Sequence, residues 1–185
     1  MKVRMKLLED AIFGNGQSIP GKEDISLLRD ENGFPYYKGG TLKGIFREEL
    51  ERNLSWKKAD NGQDVLKRLL GESGSNDSLE RGKLIFSDFC ISKVVKDKVL
   101  EMTQDPVQIL DDFSSLRTFT QIGDNGMVKE NGLRIARCVN KGISFYGEIQ
   151  CEQEDENLVL EILKQIRWVG TMRNRGFGRV VFEVV

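Results

Sequence analysis

Histidine is absent from the 185 residues of this chain. Its absence excludes the Ser–His and Cys–His nucleophile pairs, and with them every ribonuclease mechanism that depends on a histidine general base. Any catalysis must therefore use carboxylates, Lys, Tyr or a bound metal ion.

Cysteine is scarce, and its spacing does not suit a metal. The three cysteines, Cys90, Cys138 and Cys151, form no C-x-x-C pair. Without histidine, three scattered thiols are poor candidates for a tetrahedral zinc site. We expect them to be buried free thiols in a reducing compartment.

Long apolar runs are also missing. The first residues, MKVRMKLLED, lack the apolar centre of a signal peptide, and no stretch reaches membrane-spanning length. The sequence therefore predicts a cytoplasmic protein with no membrane partner. Hydrophobic residues make up 39% and charged residues 31%, which suits one domain with a solvated surface. Because the net charge is only −1, nucleic-acid binding would need the basic residues to be concentrated on one face.

The patterns that are present predict an α+β chain. MKVRMKL alternates apolar and basic residues, as a half-buried strand does. Helices are predicted over GGTLKGIFREELERNL with Thr41 as N-cap, over about residues 62–70 with Gly71 as the stop, and over EDENLVLEILKQI. Further strands are predicted at KLIFSDFC, GLRIARCV, ISFYGEIQC and the closing RVVFEVV.

An irregular stretch from Ser92 to about Val128 interrupts this order. We predict an insertion at about residues 92–132 that contains a β-hairpin with Asp124-Asn125-Gly126 at its tip. Without it, the order is strand, helix, strand, strand, helix, strand, as in ferredoxin-like folds and RNA-recognition modules. The chain is therefore predicted to be one domain, residues 1–185, with a ferredoxin-like core and an inserted hairpin.

The closing loop, GTMRNRGFGRV, combines three glycines with three arginines. Backbone amides and planar guanidinium groups in such a turn could hold a nucleic-acid backbone. An ordinary helix-to-strand connection with solvated arginines fits the same residues equally well.

The start of the first long helix, KGGTLKG, is a second place for phosphate. A helix N-terminus presents free N–H groups, Gly39 and Gly40 allow close approach, and Lys38 and Lys43 add positive charge. The P-loop signature is absent. A capped helix without a ligand is the alternative.

Two further stretches carry side chains suited to RNA chemistry. Glu23 and Asp24 lie in a Gly/Pro loop, where a carboxylate could bind a divalent cation or orient a sugar hydroxyl. The predicted hairpin could cross a nucleic-acid strand, and polar residues bracket it: Arg117, Thr118, Lys129 and Arg134. Solvated loop acids and a decorated hairpin are the alternatives.

Taken in this order, these stretches resemble the RAMP superfamily of CRISPR proteins, and more narrowly the backbone subunit of type III (Csm/Cmr-like) effector complexes. The similar pieces are GNGQSIPGKEDISLLRDENGFPYYKGGTLKGIFREEL, GKLIFSDF, LRTFTQIGDNGMVKENGLRIARCV and the closing GFGRV. The resemblance implies a ferredoxin-like core, a thumb hairpin folded over a guide–target duplex, and copies or relatives stacked along CRISPR RNA. The partners it implies are CRISPR RNA, target RNA and other type III effector subunits.

The resemblance also assigns roles to residues. RNA binding is implied for Lys38, Gly39, Gly40, Thr41, Lys43, Arg47, Arg117, Thr118, Arg134, Arg173, Arg175, Gly176, Gly178 and Arg179. The position that matches the catalytic aspartate of type III backbone subunits is Asp24, with Glu23 as the near alternative. Asp24 would bind Mg²⁺ or another divalent cation and cut target RNA, which is chemistry that needs no histidine.

Three other functions are compatible with the sequence. They are a non-cleaving assembly or capping subunit of the same complex, a stand-alone CRISPR RNA-processing endonuclease, and a ferredoxin-like domain without an RNA role. Gly39-Gly40-Thr41 replaces the usual small-hydroxyl run before the first helix, which leaves the subtype open. The absence of histidine disfavours the processing endonuclease, because such enzymes often rely on it.

Overall fold

The computed structural model describes residues 1–58, 61–72, 82–122 and 127–185. The strands in these ranges are β1 (Lys2–Leu7), β2 (Tyr36–Tyr37), β3 (Ile85–Phe86), β4 (Phe89–Cys90), β5 (Ser114–Ile122), β6 (Val128–Val139), β7 (Ser144–Gln150) and β8 (Val180–Val184). The helices are α1 (Gly39–Trp56), α2 (Gly62–Leu70), α3 (Lys93–Met102), α4 (Pro106–Phe113) and α5 (Glu156–Gln165). None of these helices has the length and the apolar sequence that crossing a membrane requires.

The central sheet is antiparallel, with β1 between β7 and β8. Its strand order is β2-β4-β7-β1-β8, and β3 also pairs with β7. Met5 of β1 lies opposite Phe145 on β7 and Phe182 on β8. Because apolar residues alternate along β1, Val3, Met5 and Leu7 are fully buried, while the basic residues between them face the other side. The predicted first strand is confirmed.

Helices α1 and α5 pack together against the sheet and form the core with it. Their buried residues recur with the period of a helix: Leu42, Phe46 and Leu50 of α1, and Val159, Ile162 and Leu163 of α5. The predicted helices are confirmed, and α2 ends as expected at Gly71, which has a φ of 74°. The prediction of Thr41 as an N-cap is wrong, because Lys38 is the N-cap and α1 begins at Gly39.

The stretch after Ser92 is more regular than predicted. Helices α3 and α4 precede the hairpin, so the prediction of irregular structure there is wrong. Ser92 and Asp105 are their N-caps, with Oγ and Oδ1 accepting from the N–H of Val95 and Val107. Helix α3 buries no residue fully, although Val95, Val99 and Met102 recur at the spacing of one helix face.

Strands β5 and β6 form a separate two-stranded sheet. GLRIARCV, predicted as a strand, lies in β6 and pairs with β5. The predicted tip, Asp124-Asn125-Gly126, lies outside the described residues. KLIFSDFC forms two short strands, β3 and β4, with Ser87 and Asp88 between them, instead of one continuous strand.

The hairpin packs against the loop that precedes β8. The rings of Phe119 and Phe177 meet edge to face, with a centroid distance of 5.5 Å. Both join a small second core around Ile12, Ala136 and Cys138. This packing places the hairpin beside the closing loop and so brings residues that are distant in sequence to one surface.

Candidate nucleic-acid interface

Asp24 lies on an exposed loop that runs alongside β6. Its N–H donates to the carbonyl oxygen of Ile135 at 2.7 Å, and its Oδ2 accepts from the N–H of Ile135 at 2.7 Å. The next residue, Ile25, forms a parallel bridge with Ala136. This bridge attaches the loop to the hairpin, and Asp24 points outward with 40% of its side chain exposed.

The carboxylate of Asp24 is held in its charged form. The hydrogen bond from the Ile135 N–H lowers its pKa most, partial desolvation opposes that shift, and Arg134 adds to it. The Arg134 guanidinium lies 3.3 Å from Oδ1. Asp24 is thus an anion at neutral pH, next to a cation of the hairpin.

Glu23 faces the opposite way. It is 4% exposed, and its Oε1 accepts a hydrogen bond from Nε of Arg137 at 2.6 Å. The two neighbouring carboxylates therefore have opposite surroundings: Glu23 is buried against Arg137 and Asp24 is exposed. The geometry therefore favours Asp24 over Glu23 as the carboxylate that could meet RNA.

A cleft of about 640 Å³ separates the hairpin from the closing loop. Phe119 and Arg134 line it from the hairpin, and Met172 and Arg175 line it from the loop. Within the described residues no carboxylate pairs with Arg175, whereas Arg134 contacts Asp24. The cleft combines aromatic and guanidinium groups, which are the side-chain types that contact bases and phosphates in RNA complexes.

A second cleft, of about 290 Å³, adjoins the first and shares Phe119 and Arg175 with it. Arg117, Thr118 and Gly176 also line it. Arg117 donates to Oδ2 of Asp10 at 2.6 Å, so part of its charge is already neutralised. The two clefts together bring hairpin and closing-loop residues to one surface.

Two of the three glycines in the closing loop are required by the fold. Gly170 and Gly178 have φ values of 77° and 80°. A Cβ on Gly170 would lie 2.5 Å from the carbonyl oxygen of Ile12, and one on Gly178 would collide with that of Val169. Gly176 has a φ of 87° but faces open space. Of the three, Gly176 is the one whose backbone a ligand could approach.

The arginines of the closing loop have different surroundings. Burial raises the pKa of Tyr37 to about 12, while the backbone of Gly170 and the charge of nearby Arg173 oppose the rise. Arg173 is exposed, as is Arg175, which lines both clefts beside the hairpin. Arg179 is exposed, and its backbone bridges to Trp168.

The start of α1 is partly occupied by the protein's own groups. The N–H of Gly39 donates to Oδ1 of Asp88 at 2.8 Å. Gly39 is buried, and a Cβ there would collide with the carbonyl oxygens of Phe86 and Ser87. The fold therefore requires glycine at position 39, because the start of α1 packs closely against the end of β3. Gly40 faces open space and keeps an accessible backbone.

The cations at this helix start are not equally accessible. Lys38 is exposed, as is Thr41. Lys43 is half-buried and lines a cleft of about 320 Å³ together with Gly40. Burial lowers the pKa of Lys43, and the nearby charge of Arg47 lowers it further.

Arg47 has a structural role that its sequence position did not reveal. Its Nη2 donates to the carbonyl oxygens of Leu70 and Gly71 at 3.0 and 2.9 Å. These carbonyl groups end α2 and would otherwise lack donors. Arg47 therefore caps the C-terminus of α2, and its predicted contact with RNA stays a prediction.

The sequence matches the RAMP superfamily over residues 4–181. The chain belongs to the RAMP superfamily. No curated protein matches it. A chain in the cryo-EM structure of the type III-B Cmr-beta bound to cognate target RNA is similar with a TM-score of 0.71 and 14% identity, over 98% of this chain and 95% of that one. A chain in the apo-state structure of type III-B Cmr-beta has a TM-score of 0.70 and 16% identity, over 100% and 96%. At these identities the similarity shows a shared fold.

The predicted site residues of this RAMP chain fall into two groups. The group around the adjoining clefts contains Asp24, Arg117, Thr118, Arg134, Arg175 and Gly176. The group at the start of α1 contains Lys38, Gly39, Gly40, Thr41 and Lys43. Arg173 and Arg179 are exposed outside both groups, while Arg47 and Gly178 are engaged within the fold.

Sequence reasoning missed Asp10, Asp88 and Arg137, which organise both groups. Asp10 binds Arg117 and also accepts from the N–H of Lys141, Asp88 caps α1, and Arg137 binds Glu23. Each partner is distant in sequence, so no local pattern marks these three residues.

Proposed function

We propose that this chain is a CRISPR RNA-binding backbone subunit of a type III interference complex, and that it cuts guide-paired target RNA with Asp24. This proposal rests mainly on one observation: Arg134 and Arg175 line the same cleft, and Arg134 contacts Asp24 of a third segment. Membership of the RAMP superfamily supports the proposal. So does the shared fold with chains of the Cmr-beta structures, one of which is bound to cognate target RNA.

The central sheet is, on this proposal, a ferredoxin-like core, and β5–β6 is a thumb. In a ferredoxin-like chain the first strand lies between the third and the last. Here β1 lies between β7 and β8, which supports that assignment. The hairpin would cross the guide–target duplex beside the two clefts.

The guide backbone would bind along the closing loop and the start of α1. Within the described residues, Lys38, Arg173 and Arg175 have no carboxylate partner, so their charge is available to phosphate. Gly40 and Gly176 face open space. Base pairing with the guide, rather than any side chain, would read the target sequence. Other type III subunits would complete the complex.

The surroundings of Asp24 fit one metal-binding carboxylate rather than a complete metal site. Magnesium is commonly held by one or two carboxylates together with substrate phosphates. Among the described residues, the group of three acids close enough to share an ion is Glu152, Glu154 and Asp155, just before α5. Asp24 would therefore hold a divalent cation jointly with RNA phosphate oxygens, and such an ion supplies charge stabilisation at the scissile phosphate. Asp24, kept ionised, would also help to deprotonate the adjacent ribose 2′-hydroxyl.

A non-cleaving assembly or capping subunit of the same complex is the second candidate. Both oxygens of Asp24 already accept hydrogen bonds, from Ile135 and Arg134. A carboxylate satisfied in this way can serve to fasten its loop to the hairpin. This observation favours a scaffold without cleavage activity.

The test uses the complex obtained by co-expression with the neighbouring CRISPR genes. Guide-complementary RNA and Mg²⁺ are added to the wild type, to Asp24→Ala and to Asp97→Ala, which removes an exposed acid of α3. We expect regularly spaced cuts by the wild type and by Asp97→Ala, and a loss of about 100-fold or more in Asp24→Ala with the guide still bound.

Other outcomes would identify the alternatives. Bound guide without cuts in the wild type would establish the scaffold and remove Asp24 as a catalyst. Specific cutting of repeat RNA in EDTA would indicate a processing endonuclease. A chain that shows no salt-sensitive RNA binding would contradict both candidates, because phosphate contacts weaken as salt rises.

A further inference from the structure

Arg137 lies where three segments meet behind Asp24. It is 7% exposed. Its Nε donates to Oε1 of Glu23 at 2.6 Å, and its Nη1 donates to Oδ1 of Asp111 at 2.5 Å and to Oγ of Ser114 at 3.1 Å. One guanidinium thus joins the Asp24 loop, the end of α4 and the start of β5.

The main chain makes the same connection. The N–H of Arg137 donates to the carbonyl oxygen of Ile25 at 3.0 Å, and the N–H groups of Asp24 and Ile25 donate to that of Ile135 at 2.7 and 3.3 Å. Residues 24 and 25 therefore run parallel to β6. Glu23 lies directly before them and points inward, so its bond to Arg137 sets the side on which Asp24 emerges.

We propose that Arg137 is a positioning residue, which holds the Asp24 loop on the hairpin through Glu23 so that Asp24 keeps one place relative to the RNA. This role rests on the proposed function, since it matters for cleavage only if Asp24 acts on RNA bound at the hairpin. A planar guanidinium suits the role because its donors reach Glu23 and Asp111 together in fixed directions. The point charge of lysine, on a flexible chain, would not fix both.

A second ion pair with a buried carboxylate provides the comparison that separates positioning from stability. Arg68 binds both oxygens of Asp155 at 2.8 and 2.6 Å, and Asp155 is 4% exposed. This pair ties α2 to the turn before α5, in a different part of the molecule from Asp24. Removing one partner of such a pair leaves the other charge uncompensated and destabilises the fold. If Arg137 only supported the fold, breaking either pair would have similar consequences.

The experiment uses the assembled complex with its guide, as wild type, Glu23→Gln, Arg137→Lys and the matched control Asp155→Asn. Three quantities are measured: the single-turnover cutting rate at saturating complementary RNA, the Kd for that RNA, and amide hydrogen exchange of residues 19–28. Glu23→Gln and Arg137→Lys should cut about 10- to 100-fold more slowly, because a displacement of roughly 1 Å has effects of that size. Their Kd should stay within about 2-fold of wild type, since RNA contacts are retained. Exchange at residues 24 and 25 should become faster, while Asp155→Asn should leave all three quantities unchanged.

A double variant, Glu23→Gln with Arg137→Met, controls for a folding defect. It removes both buried charges together, so neither charge is left without its partner. It should assemble, bind RNA and cut slowly. Wild-type cutting by Glu23→Gln overturns the role of Arg137, as does an equal loss in Asp155→Asn or a loss explained by weaker RNA binding. Unchanged exchange at residues 24 and 25 overturns it independently of cutting. A wild type that does not cut overturns the proposed cleavage itself.

Discussion

The hairpin side and the α1 side of the proposed RNA surface differ in how far the protein already satisfies its own polar groups. On the hairpin side, no carboxylate of the described residues pairs with Arg175, and Gly176 faces open space. On the α1 side, Asp88 caps the N–H of Gly39, and Arg47 caps α2. A helix start attracts phosphate only through N–H groups that remain free. Each side therefore mixes engaged and available groups: Arg134 contacts Asp24 next to the unpaired Arg175, and Gly39 is capped next to the open Gly40.

The largest expected effect separates a glycine that serves the fold from one that faces solvent. Gly178→Ala puts a Cβ against the carbonyl oxygen of Val169 at a φ of 80°, so the free energy of unfolding should fall by about 3 kcal/mol or more. Gly176 has a similar φ but faces open space, so Gly176→Ala should lower the free energy of unfolding by only about 1 kcal/mol. Urea denaturation measures both. Equal losses would contradict the packing described for the loop.

Removing charge from the hairpin side should weaken RNA binding more than removing it from the α1 side. Arg134→Ala with Arg175→Ala should reduce the affinity for single-stranded RNA by about 10-fold or more and lower the salt slope by about 2. Lys38→Ala with Lys43→Ala removes the same charge. It should reduce the affinity for single-stranded RNA by about 3-fold or less, because Lys43 is half-buried. Fluorescence anisotropy over a series of salt concentrations measures both pairs. A larger effect from the lysine pair would reverse the comparison.

Arg47→Ala should affect stability and leave RNA binding unchanged. It removes the donors to the last carbonyl groups of α2, which should cost about 1 kcal/mol in the free energy of unfolding. Arg29→Ala, at an exposed position, is the charge-matched control and should leave the free energy of unfolding unchanged. Weaker RNA binding by Arg47→Ala without a loss of stability would instead assign Arg47 to the interface.

The smallest expected effect is on thiol reactivity in the second core, which includes Cys138 and packs against the hairpin. Burial raises the pKa of the Cys138 thiol to about 12, and the charge of Asp10 adds to the rise. At pH 8 only about one molecule in ten thousand would carry the thiolate, which is the form that reacts. Iodoacetamide should therefore modify the half-buried Cys90 and Cys151 first, as read by mass spectrometry. Equally rapid modification of Cys138 would show that the base of the hairpin opens.

The elements predicted well are those whose apolar residues repeat regularly. Strand β1 alternates, and α1 and α5 carry apolar stripes, because each has one face in the core. Helix α3 was missed although Val95, Val99 and Met102 have helical spacing, because five charged residues among its ten interrupt the apolar pattern. Its N-cap, Ser92, is a single-residue signal that also fits a turn.

The candidate site was predictable as a set of residues but not as an arrangement. The resemblance to the RAMP superfamily pointed to Asp24 and to the basic residues around it. The partners that orient Asp24 are Arg134 and Ile135, which are 110 and 111 positions away. No local pattern relates residues at such separations, so the docking of the loop on β6 became visible only in the folded chain.

The sequence by itself determined which chemistry is available and which elements form. It excludes histidine catalysis, encodes the periodic strands and helices, and carries the match to the RAMP superfamily. The tertiary structure decided which of two similar residues is engaged within the fold and which is free for a ligand: Glu23 is buried against Arg137 and Asp24 is exposed, while Arg47 caps a helix and Arg175 lines a cleft. Burial and hydrogen-bond partners depend on segments that meet only after folding, and these determine whether a charge is available.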